Sequence, residues 1–391
     1  MFRVGEEEIR AFAESLLSRD FFKINNAGRE VYRFEEEWKK ETGASYALTM
    51  TSGFAALTSA LIGMGIGPGD EVIVPGYTYI ASALAVLAVG AIPVIAEIDG
   101  TMTLDAADAE KKISGATKAI MPVHIQGFPS DLDGIRAVAA RHGVFVLEDA
   151  CQADGGSYKD RRLGTVGDAG AFSFNFFKLI TAGEGGAMVT DNRTIYERAL
   201  IYHDAGAVAF FGDQLKDIRE PLFGGSEFRV SDLTGAILRA QLKRMPGILR
   251  DLRRNRDALW ERIEGAGSFL RAPSHDAAGD CGTTLALRFE TKEDCRAFVS
   301  ACAEKGLSLT VPIDTGKHVY TNWTQIMEKR GAFHPAMDPY KMEANRGLQS
   351  DYAPDMCPAT LDYLQRTAYV GISPDWDEKK IEELASILKG E

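Results

Sequence analysis

The sequence predicts an α/β protein in which helices flank a mostly parallel sheet. Through the first half of the chain, short apolar segments typical of buried strands alternate with segments of helical period. A length of 391 residues exceeds the size at which one hydrophobic core usually stops growing, so a second domain is expected. We therefore predict a large N-terminal domain over residues 1–245 and a smaller α/β domain over 246–391.

The predicted elements of the large domain follow one another in a regular order. Two helical patterns, at 5–24 and 30–41, indicate a peripheral arm. A strand at 47–50 and a helix at 54–64 open the alternating series. The later strands are predicted at 70–75, 92–98, 118–123, 144–148, 169–174 and 187–189. The later helices are predicted at 81–89, 105–113 and 131–142, with a further one that ends at 203.

Fewer elements are predicted in the remainder of the chain. The segment 205–228 is rich in glycine and aromatic residues and has no clear period, which favours a mobile or interface loop. The helical pattern from Ser231 to Gly265 contains Pro246, and proline removes a helical hydrogen bond and clashes with the preceding turn. One helix should therefore end there and another begin near 247. The small domain is predicted to contain strands at 283–289 and 367–372 and helices at 292–306 and 375–390.

Composition and charge narrow the class of function. The formal net charge of −12 and the lack of a Lys/Arg-rich run argue against a nucleic-acid surface. The five cysteines are scattered without a CxxC pair, so neither a disulfide framework nor a zinc site is indicated. The acidic N-terminus does not resemble a signal peptide, and no stretch has the length of a membrane span. We expect a cytoplasmic protein whose partners are small molecules, with no metal, nucleic acid or membrane.

Polar residues gather at the carboxyl ends of the predicted strands, where ligands bind in such sheets. Ser52 and Gly53 lie at a strand–helix junction, where free N–H groups and the helix dipole attract an anion. Asp149 directly ends its strand, and Lys178 follows another. The apolar neighbours of Lys178 would penalise its charged form and make the amine nucleophilic. Taken singly, these residues are also explained as a helix cap, a solvated carboxylate and a surface lysine.

Taken together, these residues meet the four needs of pyridoxal phosphate. This cofactor requires an amine for its aldehyde, a carboxylate that keeps its ring nitrogen protonated, a phosphate cup and a planar group against its ring. The sequence offers Lys178 as the amine, Asp149 as the carboxylate, Ser52, Gly53 and Ser173 as the cup, and Tyr79 as the planar group.

Five motifs, in this order, resemble those of the sugar aminotransferases of the DegT/StrS type: GDEVIVPGYTY, GAIPVIAEID, VFVLEDACQADGG, GAFSFNFFKLITAGEGGAMVTDN and FRVSDLTGAILRAQL. The resemblance implies the aspartate aminotransferase fold (fold type I), with a seven-stranded, mostly parallel sheet in the large domain. It also implies a homodimer with active sites at the interface. The implied reaction uses pyridoxal phosphate to transfer an amino group from L-glutamate or L-glutamine to a keto or aldehyde sugar, expected to be nucleotide-linked, in amino-sugar biosynthesis.

The resemblance assigns roles to individual residues. Lys178 matches the Schiff-base lysine, and Asp149 matches the partner of the pyridinium nitrogen. Gln152 matches the residue near the ring hydroxyl of the cofactor. Tyr79 matches the stacking aromatic, and Ser173 matches a phosphate ligand. Ser52 and Gly53 match the start of the phosphate-binding helix.

Two positions depart from the pattern of the family. Phe54 stands where a small, often hydroxylated residue is usual, so it offers the phosphate only a backbone N–H. Glu227 stands where an asparagine usually reaches the phosphate of the neighbouring subunit, and an ionised carboxylate there would be repelled. Both residues are nevertheless predicted to lie at the cofactor.

Several alternatives stay open at this point. A sugar dehydratase on the same fold commonly replaces the Schiff-base lysine by histidine, so Lys178 argues against it. A non-catalytic regulator that retains the fold gains some support from Phe54 and Glu227. A nucleotide-linked sugar, a cyclitol and an eight-carbon acidic sugar all remain candidate substrates. The segment 315–347, rich in aromatic and basic residues, is either a substrate-facing or interface loop or plain surface. His124, His203 and Cys151 are interpreted as structural residues.

Overall fold

The computed structural model describes residues 3–19, 29–206 and 218–391. The described strands are β1 (Tyr46–Met50), β2 (Glu71–Pro75), β3 (Ile92–Ala96), β4 (Thr117–Ile120), β5 (Phe145–Asp149), β6 (Ser157–Tyr158), β7 (Arg161–Arg162), β8 (Ala169–Ser173), β9 (Gly186–Thr190), β10 (Leu270–Arg271), β11 (Thr284–Arg288) and β12 (Thr367–Gly371). The described helices are α1 (Glu6–Leu17), α2 (Glu30–Thr42), α3 (Gly53–Gly63), α4 (Ala81–Ala88), α5 (Ala106–Lys111), α6 (Leu132–His142), α7 (Arg193–His203), α8 (Asp232–Ile263), α9 (Lys292–Glu304), α10 (Thr324–Met327), α11 (Pro358–Gln365) and α12 (Glu378–Lys389).

A seven-stranded sheet forms the centre of the large domain, with the strand order β1-β9-β8-β5-β4-β2-β3. The neighbours from β8 to β3 pair in parallel, whereas β9 runs antiparallel to both β8 and β1. The predicted α/β class with a mostly parallel seven-stranded sheet is therefore confirmed. The strand predicted at 118–123 ends at Ile120, although Val123 still forms an isolated bridge with Asp149.

Helices cover both faces of this sheet because its strands are apolar on both sides. Val72 and Val74 of β2 pack into the cluster that contains α3, α4 and α7. Ile73, between them, packs into the opposite cluster with α5 and α6. Successive strand residues point to opposite faces, so a continuous apolar run buries against helices on each side. Polar side chains that could contact a ligand are therefore expected at the strand ends.

The prediction that Pro246 ends a helix is wrong. Helix α8 runs without a break for 32 residues, with Pro246 on its exposed side. Met245 and Ile248, on either side of the proline, are both 0% exposed. Burial of the apolar face before and after the proline offsets a local cost of about 3 kcal/mol. The proposed domain boundary at 245/246 lies inside this helix and stays a prediction.

The small domain is built on the antiparallel sheet β10-β11-β12. Its two predicted strands and two predicted helices are confirmed as β11, β12, α9 and α12. Strand β10 and helix α11 were not predicted, because two residues and eight residues carry too little periodic signal. Apolar side chains of α8 and α12 join this sheet in one cluster with residues of the large domain.

The peripheral arm packs on the first half of α8. Arg239 of α8 pairs with Glu30 and Glu37 of α2, and Arg244 pairs with Glu8 of α1. The predicted helix at 5–24 ends at Leu17, and residues 20–28 lie outside the described residues. Much of the loop predicted at 205–228 also lies outside them, since 207–217 are not described. Within the described ranges, no helix combines the length and apolar character that crossing a membrane requires.

Candidate active site

A cavity of about 160 Å³ opens where the parallel strands end at their carboxyl edge. The loops that follow β1, β2, β4, β5 and β8 all contribute to its wall. Eight of the nine residues predicted for the site line it: Ser52, Gly53, Phe54, Tyr79, Asp149, Gln152, Ser173 and Lys178. The ninth, Glu227, is not among its lining residues.

The N-terminus of α3 forms one wall of the cavity. Ser52 is the N-cap residue, and its Oγ accepts a hydrogen bond of 3.1 Å from the backbone N–H of Ala55. A Cβ atom at Gly53 would lie 2.6 Å from the Sγ of Cys151 and 2.9 Å from the Cβ of Ser173. Only glycine allows so close an approach. Because the first N–H groups of a helix have no intrahelical partner, this tightly seated helix start offers donors to an anion.

Asp149 lies buried at the end of β5. Its Oδ2 accepts a hydrogen bond of 2.7 Å from the Oγ of Ser82, and its Oδ1 accepts one of 3.1 Å from the backbone N–H of Cys151. The Ser82 hydroxyl lies in turn 2.8 Å from the Oγ1 of Thr78. In the described part of the chain, no salt bridge reaches this carboxylate. A buried carboxylate without a cation is costly, so the site suits a ligand that brings a positive charge.

Lys178 lies in a tight turn after β8, with its backbone N–H bonded to the Asn175 carbonyl at 3.0 Å. The apolar neighbours of Lys178 that the sequence analysis invoked lie partly at the surface and partly in the core. Phe176 and Phe177 are 57% and 76% exposed, and Leu179 belongs to the core behind the site. The side chain of Lys178 itself is half-buried at the cavity wall.

The charge of Lys178 acts on buried groups around it. Burial raises the pKa of Asp154 well above its ordinary value, and the positive charge of Lys178 opposes this rise. Burial also raises the pKa of the Cys151 thiol well above its ordinary value, again against the effect of Lys178. A raised pKa favours the protonated thiol, which agrees with the structural role predicted for Cys151.

Tyr79 and Gln152 complete the lining on the side of the small domain. Tyr79 is 47% exposed, and its ring centroid lies 5.3 Å from that of His318. The segment of His318 is tied to this turn, since the Thr78 N–H donates to the His318 carbonyl at 3.0 Å. The Oε1 of Gln152 accepts a hydrogen bond of 3.0 Å from the backbone N–H of Gln126.

The family of the chain follows from a comparison with known proteins. A model of the DegT/DnrJ/EryC1/StrS aminotransferase family matches residues 3–389. The chain belongs to this family. It is accordingly a pyridoxal-phosphate-dependent aminotransferase, as the resemblance of its motifs predicted.

Individual relatives agree with this family membership. The spore coat polysaccharide biosynthesis protein SpsC of Bacillus subtilis is 32% identical over 99% of this chain and 96% of its own length. The dTDP-3-amino-3,4,6-trideoxy-alpha-D-glucose transaminase of Streptomyces venezuelae is 39% identical over 76% of this chain and 78% of its own length. Among solved structures, a 3-amino-5-hydroxybenzoic acid synthase aligns with a TM-score of 0.79 and 28% identity, over 100% of this chain and 97% of that one.

The cavity of this aminotransferase fits the cofactor of its family. Asp149 supplies a buried negative charge that lacks a cationic partner among the described residues, which suits a protonated ring nitrogen. The close approach at Gly53 brings the helix start to Ser173, which suits a phosphate. Lys178 presents a primary amine, and Tyr79 presents a planar ring. These residues would hold the cofactor at its nitrogen, phosphate, aldehyde and ring.

Glu227 lies apart from the cavity, with its side chain 62% exposed. Its Oε1 accepts a hydrogen bond of 2.6 Å from the Nη2 of Arg229, which also pairs with the buried Asp204. The neighbouring Phe228 carbonyl accepts a hydrogen bond of 2.9 Å from the backbone N–H of Thr51, beside the helix start. The role of Glu227 toward the phosphate of a neighbouring subunit stays a prediction.

Several lining or adjoining residues were not predicted. Ser82 orients Asp149 from 67 positions earlier in the chain, and Glu184 lines the cavity from the glycine-rich turn before β9. His318 comes from the long segment 315–347, for which a substrate-facing loop was one alternative. The composition of that segment was the only signal, and it could not indicate which residue faces the site.

His124 is structural, as predicted. It is fully buried, its Nε2 lies 3.0 Å from the Oε2 of Glu148, and its Nδ1 accepts a hydrogen bond from the backbone N–H of Ser130 at 3.1 Å. Since a backbone N–H can only donate, the Nδ1 is unprotonated and the Nε2 donates to Glu148. His203 is likewise fully buried, with its Nδ1 3.0 Å from the Leu200 carbonyl.

Proposed function

We propose that this aminotransferase transfers an amino group from L-glutamate or L-glutamine to a keto or aldehyde carbon of a sugar, in the biosynthesis of an amino sugar. The Streptomyces venezuelae relative is named for a nucleotide-linked sugar, which makes such a sugar our first candidate. The observation that carries the proposal is that Lys178, Asp149 and the start of α3 line the same cavity. We also propose a cytoplasmic homodimer with shared active sites.

The cofactor, when bound, supplies an electron sink that makes a proton on the substrate carbon acidic. The Asp149 carboxylate, fixed by Ser82 and the Cys151 N–H, would keep a proton on the ring nitrogen. The Nζ of Lys178 would hold the aldehyde carbon of the cofactor and, as a free amine, would carry the proton between the substrate carbon and the cofactor carbon. The helix start at Gly53 and the Ser173 hydroxyl would hold the phosphate.

The amino donor and the sugar can be tested in two stages. Purified protein loaded with pyridoxal phosphate should show a visible absorbance band that bleaches when L-glutamate or L-glutamine is added. The bleached protein, freed of donor, should then regain the band with the correct acceptor from a panel of keto and aldehyde sugars. The panel should contain nucleotide-linked sugars, a keto cyclitol and an eight-carbon acidic sugar.

Each stage has an outcome that contradicts part of the proposal. A band that neither amino acid bleaches would contradict the proposed donors. Recovery of the band with the cyclitol alone would contradict a sugar acceptor. A protein that never takes up the cofactor would instead support a non-catalytic regulator.

A further inference from the structure

The turn that follows β4 approaches the cavity in an unusual backbone conformation. Gln126 adopts φ 54° and ψ 21°, in the left-handed region that residues with a side chain rarely enter. Gly127 follows with a φ of 79°. A glycine is the ordinary residue for such a position, so a glutamine held there is enforced by its surroundings.

Three hydrogen bonds hold Gln126, one to the cavity and two to the small domain. Its backbone N–H donates to the Oε1 of Gln152 at 3.0 Å. Its carbonyl accepts from the Oγ1 of Thr283 at 2.6 Å, and its own Oε1 accepts from the Oγ1 of Thr284 at 3.0 Å. Both threonines are nearly buried, with exposures of 6% and 4%. Gln126 thus connects strand β11 of the small domain with a residue of the cavity wall.

The hydrogen bond from the Gln126 N–H fixes which end of the Gln152 side-chain amide faces the cavity. A backbone N–H can only donate, so the amide must turn its oxygen toward Gln126. The NH₂ group is therefore the end left for the cavity, where it can donate to an oxygen of a ligand. Without Gln126 in its left-handed conformation, the amide could present either end.

We propose that Gln126 is a positioning residue, which fixes the Gln152 amide as a hydrogen-bond donor toward the ring hydroxyl of the cofactor and couples this orientation to the small domain through Thr283 and Thr284. The inference rests on the proposed function, since it takes Gln152 to contact the cofactor. It adds a chain of contacts through which the small domain sets the orientation of a residue of the cavity wall.

The double variant Thr283→Val/Thr284→Val tests this inference without altering the cavity wall. It removes both hydroxyl donors to Gln126 and keeps the side-chain volumes close to those of the wild type. We expect the affinity for pyridoxal phosphate to fall about 3- to 10-fold, the scale of a neutral hydrogen bond. We also expect the absorbance band of the bound cofactor to shift in the same direction as in Gln152→Ala. Adding the double variant to Gln152→Ala should change the cofactor affinity and the band little further, because the three substitutions act on one contact.

Thr367→Val is a matched control. Thr367 lies in β12 of the same small sheet, is fully buried, and its Oγ1 donates to the Tyr363 carbonyl at 2.8 Å, away from the cavity. It should leave the band and the cofactor affinity unchanged. Thr284→Ser, which keeps the hydroxyl, should behave as the wild type. If the double variant folds poorly, Thr284→Val alone should shift the band in the same direction, and an unchanged band in that variant would contradict the inference.

Two results would overturn the inference while the proposed function stands. The first is an unchanged band and affinity in the double variant, and the second is an effect fully additive with that of Gln152→Ala. If wild-type protein showed no cofactor band at all, the proposed function would fail and the inference with it.

Discussion

Replacing Gly53 by alanine should disturb the site through one methyl group. The added Cβ would lie 2.6 Å from the Sγ of Cys151 and 2.9 Å from the Cβ of Ser173, distances that real Cβ atoms do not show. Either the helix start, or both the Cys151 thiol and the end of β8, must therefore move by several tenths of an ångström. Such overpacking costs about 1–3 kcal/mol of folding free energy.

The same displacement should weaken phosphate binding as well as the fold. The helix start donates charge-assisted hydrogen bonds to the phosphate, each contributing about 1.5–3 kcal/mol. If the displacement breaks one such hydrogen bond, the cofactor affinity should decrease about 10- to 100-fold. Titration of pyridoxal phosphate into apo-protein, followed by absorbance, measures this change, and urea unfolding measures the loss of stability.

Two further variants make this prediction specific. At Gly115 no atom lies within 4 Å of an added Cβ, so Gly115→Ala should change the stability by less than about 0.5 kcal/mol and leave affinity unaltered. Cys151→Ala removes the closest contact, so Gly53→Ala/Cys151→Ala should recover part of the affinity but not all, because Ser173 remains. If Gly53→Ala matched Gly115→Ala in both assays, the account of a tightly seated helix start would be refuted.

Three other predictions concern single carboxylates. Asp149→Asn should retain cofactor but lose at least about 100-fold in turnover, since an amide cannot balance a ring cation; near-normal steady-state rates would contradict the role of Asp149. Because burial raises the pKa of Asp154, folding takes up a proton at any pH between the unfolded pKa of about 3.9 and the higher folded value, and stability falls as pH rises through that range. In urea unfolding, the stability of Asp154→Asn relative to the wild type should therefore increase from pH 5 to pH 8. A difference that stays constant over this range would argue against a raised pKa of Asp154. Since Arg229 already pairs with Glu227, Glu227→Asn should tighten cofactor binding by no more than about 1 kcal/mol, and weakened binding would show that the carboxylate belongs to the site.

The sheet and most of the cavity wall were predictable because they depend on local patterns. Apolar runs such as β2 bury on both faces, and their alternation with helices leaves polar residues at one edge. Asp149 is the last residue of its strand, and Ser52 and Lys178 lie within five residues after theirs, so a sheet whose parallel strands end at one edge brings the three together.

The remaining features depend on contacts between distant parts of the chain. Pro246 lies within a helix because buried residues of other elements hold both flanks of α8, which no local propensity expresses. Ser82 reaches Asp149, and His318 reaches Tyr79, only once the loops are folded. The pairing of Glu227 with Arg229, which holds the carboxylate apart from the cavity, likewise could not be predicted from the sequence.

The central claim is that the amine of Lys178 holds the cofactor. Borohydride reduction of the protein loaded with pyridoxal phosphate would make that link permanent, and peptide mass mapping would then locate it. The account predicts a single pyridoxyl group on Lys178, and its absence from a folded Lys178→Ala variant that has lost transamination. A pyridoxyl group on another lysine, or appreciable transamination by Lys178→Ala without added amines, would contradict the account.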